Sequence, residues 1–326
     1  MLMRTDPSSS AHPGAIVLRG VHKHYGALHA VDGVDLDIAP GELFGLIGHN
    51  GAGKSTLFKM MLGLIRPTAG TLSVAGADVT SRAFRAARRR LGYLPENVVL
   101  WDNLSGTETL RFFARLKGVD LAECAPLLAR VGLAAAADRP VREYSKGMRQ
   151  RLGFAQALLG RPRVLFLDEP TTGLDPLAIR DFHATLRELR DAGVTIVLTS
   201  HILAELQERV DRLAVLSEGR LRALGTVQGL REQHDLPLQV SLRVAPGERE
   251  HVLGRLRGLP ALLPQGEGLA TPDGWRLPCP REAKMALLRE LAGLGAAVQD
   301  VQFAEPSLED LFFGLSRSAP PMEAVS

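Results

Sequence analysis

Short apolar runs recur along the chain, unbroken at 43–47 (Leu43-Phe44-Gly45-Leu46-Ile47) and 164–167 and with a single threonine at 194–198. A run with no polar face predicts a strand buried on both sides, as in a parallel sheet covered by helices. Further strands are predicted at 16–19, 34–38, 71–74, 91–94, 213–216 and 220–224, with turns between, including one over 21–26. Apolar residues spaced three and four apart predict helices over 57–64, 107–117, 121–131, 146–159, 177–192 and 202–210. The strand and helix alternation is that of an α/β domain over 15–235, interrupted by a mainly helical insertion at about 97–160. Beyond Gly225 the pattern changes. A strand (238–244), a helix (248–259), Pro/Gly-rich loops (260–280), a helix (281–294), a strand (298–303) and a short helix (307–313) make a small α+β module over 236–315. Residues 1–14 and 316–326 read as frayed ends.

The composition narrows the class without naming one. With 326 residues and 45% hydrophobic content, the chain can build a sizeable core. Its net charge of +3 balances 39 basic against 36 acidic residues, too even a mixture to argue for nucleic acid. No run reaches the roughly 18 apolar residues that a bilayer span needs. The first fourteen residues lack the apolar core of a secretory signal. The two cysteines, Cys124 and Cys279, have no metal-ligand spacing and suit a reducing compartment, Cys124 as a core residue on a helix. Five arginines between Arg82 and Arg90 read as a solvated helix face, with attraction to an anionic membrane as the alternative.

The chemistry concentrates after the apolar runs. The first is followed by Gly48-His49-Asn50-Gly51-Ala52-Gly53-Lys54-Ser55-Thr56, the spacing G-x-x-x-x-G-K-[ST] between a strand and a helix. Glycines let the backbone turn its N–H groups inward, and the helix start adds a positive dipole end. Lys54 is expected to hold the terminal phosphates, and the Ser55 hydroxyl to ligate Mg2+.

The run at 164–167 ends in Asp168 and Glu169, placed for the Mg2+ shell and for polarising a water. The run at 194–198 leads to His201, a candidate contact for the terminal phosphate. Glu96 follows the strand ending at Leu94, on the edge where parallel sheets collect ligands. Ser145 caps the next helix, and the N–H groups around Gly147 offer a second anion-binding helix start within Ser145-Lys146-Gly147-Met148. Asp175 caps the helix over 177–192. Tyr25, in the predicted turn, either stacks on a flat ring or packs as ordinary surface.

Taken together and in this order, these motifs resemble the ATP-binding subunits of ABC transporters over about residues 16–230. The resemblance implies an ABC-type P-loop NTPase with a helical subdomain and an antiparallel β edge, hydrolysing ATP with Mg2+. It implies Tyr25 as adenine stacker, Gly48 to Thr56 as phosphate loop, Asp168 and Glu96 with Ser55 around the metal, Glu169 as catalytic base, Asp175 in the loop that follows, and His201 as switch histidine. The family signature L-S-G-G-Q stands here as Tyr144-Ser145-Lys146-Gly147-Met148, keeping Ser145 and Gly147. Glu96 occupies the place of a usual Gln and adds negative charge beside Asp168 and Glu169.

The resemblance further implies two ATP-binding subunits paired head to tail, so that the Ser145 helix of one completes the Lys54 site of the other. They would dock on a membrane permease dimer at the cytoplasmic face of the inner membrane, with Trp101 in the docking region. Residues 92–98, 104–110, 113–118 and 144–156 also look like the ATPases of nitrous oxide reductase maturation. That narrower likeness implies a periplasmic accessory protein and a sulfur species destined for a copper site. Alternatives at this stage are the ATPase of another ABC exporter, a soluble ABC ATPase acting on nucleic acid or ribosomes, and a small-molecule kinase.

Overall fold

A computed structural model describes residues 15–200, 206, 209–233, 237–257 and 269–305. The backbone divides into two compact units, 1–226 and 227–326.

In the first unit, β1 (Ile16–Tyr25) and β2 (Leu28–Ile38) form a long antiparallel hairpin. The turn predicted over 21–26 is therefore strand almost to its end. Register shifts after Leu18, Val21 and Lys23 break the two-residue alternation that would have revealed it. The chain continues through β3 (Leu43–Ile47), α1 (Lys54–Met61), β4 (Ala69–Val74), β5 (Ala77–Asp78), α2 (Phe84–Arg88) and β6 (Leu91–Leu94). Helices α3 (Gly106–Lys117), α4 (Cys124–Arg130) and α5 (Lys146–Leu158) make the insertion. Then come β7 (Val164–Leu167), α6 (Pro176–Asp191), β8 (Thr195–Ser200), β9 (Arg212–Ser217) and β10 (Arg220–Gly225).

Two sheets result. One is antiparallel, in the order β2-β1-β4-β5; the other runs β10-β9-β3-β8-β7-β6, parallel from β9 to β6 with β10 antiparallel at its edge. Every residue of β3, β7 and β8 is buried, as the unbroken apolar runs of β3 and β7 require, and β8 buries Thr195, Thr199 and Ser200 along with its apolar centre. A shared core joins the inner face of the antiparallel sheet (Ile16, Leu18, Val34, Leu72) to α1 and to the parallel sheet. Phe58 of α1 meets Phe166 of β7 edge to face, with ring centroids 5.6 Å apart.

Helix α3 is opened by a capping box, Ser105 with Glu108, and closed by Gly118. Cys124 is buried on α4, as expected, and both cysteines are free thiols. The helix expected over 202–210 lies largely outside the described residues.

The second unit contains α7 (Val227–Gln233), which the sequence pattern did not suggest, then β11 (Leu238–Val244), α8 (Arg249–Arg257), β12 (Leu269–Thr271), β13 (Gly274–Cys279), α9 (Lys284–Gly293) and β14 (Val298–Ala304). Part of the stretch expected as Pro/Gly-rich loop is thus the β12–β13 hairpin. Its signals are Pro272-Asp273 at the turn and the alternation Trp275, Leu277, Cys279 on the inner face. The sheet order β12-β13-β11-β14 with β-α-β-β-α-β connectivity is ferredoxin-like, its core formed by Val240, Leu242, Val252, Trp275 and Leu287. The short helix expected at 307–313 lies outside the described residues.

Candidate active site

Pairing in the parallel sheet brings the ends of three strands to one edge. Ile47 lies beside Ser200, Leu46 beside Thr199, and Leu167 beside Leu198. The segments that follow β3 and β7 therefore emerge on either side of β8, at the carboxyl edge where α/β sheets bind ligands.

Helix α1 starts from Gly53, whose φ of +103° is left-handed. A Cβ there would come within 2.4 Å of the Ala30 carbonyl oxygen, and one at Gly48 equally close to that of Leu216. Only glycine fits this tightly folded loop, whose backbone is free to approach an anion. The Lys54 ammonium folds back and donates to the carbonyls of Gly48 and, at 3.2 Å, His49. Burial pulls its pKa below the usual lysine range, while Glu169, Asp168 and Glu96 act in the opposite direction. One cation thus faces all three carboxylates proposed from the sequence. Ser55 is exposed beside it.

Asp168 and Glu169 share one organiser. The Thr199 hydroxyl donates to Asp168 Oδ1 at 2.7 Å, and its oxygen accepts the Glu169 N–H at 2.9 Å. Burial raises the Asp168 pKa, partly opposed by this hydrogen bond and by Lys54. Glu169 itself has φ +47°, a left-handed conformation that costs a non-glycine residue about 1–3 kcal/mol and recurs where side chains are held for chemistry. Thr199 is a positioning residue that the sequence pattern does not single out, since it points to His201 two positions on. Its signal was a hydroxyl at the end of an apolar strand. His201 lies outside the described residues.

The signature segment has different neighbours. Ser145 caps α5 by accepting the Met148 N–H at 3.2 Å, and a Cβ on Gly147 would lie 3.2 Å from the Gly173 carbonyl. The Lys146 stem covers Gly173. Asp175 caps α6 through the Ala178 N–H at 2.9 Å. Gln150, buried on α5, donates to the Pro170 carbonyl just beyond Glu169, so α5 holds the loop that follows β7. Tyr25 ends β1 with its ring 49% exposed, and the Lys23 ammonium lies 5.0 Å from the ring centroid.

The glycine cradle, an ammonium among carboxylates, a half-buried Asp and an exposed hydroxyl suit a triphosphate with Mg2+. Lys54 and the loop N–H groups would hold the phosphates, with Ser55, Asp168 and Glu96 around the metal. Mg2+, when bound, neutralises phosphate charge during the displacement.

Residues 31–172 match the family described as ABC transporter. Over 311 residues the chain is 38% identical to daunorubicin resistance ATP-binding protein DrrA3 of Streptomyces coeruleorubidus, covering 93% of this chain and 96% of that protein. Daunorubicin/doxorubicin resistance ATP-binding protein DrrA of Streptomyces peucetius is 36% identical, covering 96% and 94%. ATP-binding cassette sub-family A member 7 of Mus musculus is 39% identical over 95% of this chain, which spans only 15% of that longer protein. A solved structure described as the ATP binding subunit of an ABC transporter superposes with a TM-score of 0.63 at 34% identity, covering 68% of this chain and 93% of that one.

Proposed function

The chain belongs to the ATP-binding subunits of the ABC transporter family, and from that premise we propose that it is the ATP-hydrolysing engine of an exporter, working as a head-to-tail pair on a membrane permease. The observation that carries this reading is the Lys54 ammonium set against Asp168, Glu169 and Glu96 at one sheet edge.

In this reading Lys54 donates to phosphate oxygens, Glu169 takes a proton from the attacking water, and Thr199 keeps the two acids in register. Tyr25 offers an exposed ring to adenine. The Ser145 helix start presents N–H groups to the phosphates of the partner copy. Closure of the pair is a population shift driven by the nucleotide's preference for the closed state. In an ATP-loaded Glu169→Gln background, Ser145→Arg is expected to abolish the dimer seen by light scattering while leaving ATP affinity of the single chain within about twofold. Loss of nucleotide binding by the single chain would instead place Ser145 in its own copy's site.

The docking surface for the permease is proposed on the insertion. Trp101 is 48% exposed and meets Phe112, also exposed, edge to face with centroids 4.8 Å apart, with Val99 almost fully exposed nearby in the chain. Asp102 pairs with Arg149 of α5 at 2.8 Å, tying this surface to the signature helix. Trp101→Ala is expected to weaken co-purification with the permease by about tenfold or more, as loss of a central aromatic anchor does, with ATP binding unchanged. Undiminished association would move the docking surface elsewhere.

No helix among the described residues is long and apolar enough to cross a membrane, which suits a peripheral subunit at the cytoplasmic face. Drug-resistance names among the relatives support the exporter alternative, with an amphipathic small molecule as cargo. The copper-site maturation reading, with its sulfur cargo and periplasmic accessory protein, has no support in those relatives, and the exporter replaces it.

A further inference from the structure

The β1–β2 hairpin carries Val21-His22-Lys23-His24-Tyr25 on one strand and His29-Ala30-Val31-Asp32-Gly33 on the other. Its register is broken where these residues meet. Val21 pairs with Val34 and Lys23 with Val31, so Asp32 and Gly33 together face His22 alone. Such a two-against-one bulge re-aims side chains. Here it turns Asp32 onto the imidazoles, and one ligand atom each from His22, His24 and Asp32 falls within 4.8 Å of the others.

The hydrogen bonding inside this cluster is incomplete. Nδ1 of His22 accepts the Gly33 N–H at 3.2 Å and also lies 3.0 Å from Asp32 Oδ1. A ring nitrogen has either a lone pair or a proton, so Nδ1 satisfies one of these contacts and opposes the other: as an acceptor it faces the Asp32 oxygen, as a donor the Gly33 N–H. Nε2 of His24 is buried with no hydrogen-bond partner. Leaving a ring nitrogen buried and unpaired costs about 1–3 kcal/mol. The His29 ring stacks on that of His24 with centroids 4.0 Å apart, which holds it in place. Asp32 is oriented from behind, since Arg220 donates to its Oδ2 from Nε at 2.9 Å and from the guanidinium end at 2.7 Å, leaving Oδ1 for the cluster.

We propose that His22, His24 and Asp32 form a binding site for a divalent late transition-metal ion, of which Zn2+ is the probe, separate from the Mg2+ site at Asp168. Two imidazoles with one carboxylate match such ions, whereas Mg2+ and Ca2+ take oxygen ligands. Ligand bonds of about 2.0–2.2 Å put ligand atoms roughly 3.0–3.5 Å apart, so the three groups close by side-chain rotation alone and water completes the shell. The Arg220 guanidinium partly neutralises Asp32, which weakens the site relative to one with an unpaired carboxylate.

The site is also joined to the phosphate loop by backbone. The Asp32 N–H donates to the Gly219 carbonyl at 2.8 Å, and the Gly219 N–H to the Ala52 carbonyl at 3.0 Å. A bound ion would clamp β1 to β2 at the irregular stretch just before Tyr25.

The test uses the full-length chain with any affinity tag removed, in saturating Mg2+ so that the Asp168 site is filled. Zn2+ is titrated against a chromophoric chelator, and Co2+ is followed by its visible absorption. One equivalent of Zn2+ is expected, with affinity reduced about tenfold or more in His24→Gln and in Asp32→Asn and unchanged in His251→Gln. No binding by the parent chain, or parent-like binding by both site variants, overturns the proposal. Should those variants fail the circular dichroism test of folding, the unaltered protein decides. Zn2+ is expected to protect His22 from carbethoxylation, mapped by mass spectrometry, and equal modification with and without Zn2+ overturns it.

Discussion

Glu169→Gln is expected to lower ATP turnover by about 10²–10³-fold while Mg-ATP binding stays within about twofold, because a positioned general base contributes roughly that much and glutamine keeps the shape without the basicity. The backbone argues for this residue and not for a neighbouring acid. Glu169 is held left-handed at φ +47°, and its N–H is fixed on the Thr199 hydroxyl, which also holds Asp168. Glutamine leaves those main-chain contacts untouched. The variant should therefore load nucleotide and accumulate as a closed pair, with phosphate release measuring the first effect and light scattering the second. Parent-rate turnover would take the base role away from Glu169. Thr199→Val separates position from chemistry: it keeps Glu169 but removes its anchor.

The parts of this site carried by contiguous residues were legible before any coordinates. Gly48 to Thr56 has its chemistry in its spacing, and the acids after 164–167 follow a run whose burial is unmistakable. Ser145 and Asp175 were readable as caps because a cap is a local hydrogen bond. Long-range contacts were not legible. That Thr199 would reach Asp168 depends on β8 lying between β3 and β7, and that Gln150 would reach Pro170 depends on how α5 packs. The hairpin was misread for the same reason. Its bulges destroy the period by which a strand is recognised, and what they create, two histidines facing an aspartate, exists only across strands. In the second unit the prolines and glycines of 260–280 outweighed the weaker alternation of Trp275, Leu277 and Cys279.

Lys54→Ala is expected to lower ATP affinity by about 100-fold or more. Two charge-assisted hydrogen bonds to phosphate, at about 1.5 kcal/mol each, already amount to that factor. In the structure the ammonium rests on the carbonyls of Gly48 and His49, acceptors that keep it folded over the loop where phosphate oxygens would replace them. Its removal has a second effect. Glu169, Asp168 and Glu96 then face an incoming triphosphate without the Lys54 charge, so repulsion adds to the lost bonds.

The same loss acts on Asp168. Burial already raises its pKa and Lys54 is one of the groups holding it down, so without Lys54 the carboxyl takes up its proton at a higher pH. The acid side of the residual Mg2+ dependence should therefore move toward neutral pH, as followed by fluorescent-nucleotide binding in Mg2+ titrations at stepped pH. Unchanged affinity in Lys54→Ala would mean that the glycine cradle binds phosphate by its N–H groups alone. A weakened affinity with an unmoved acid limb would mean that Asp168 does not feel the ammonium.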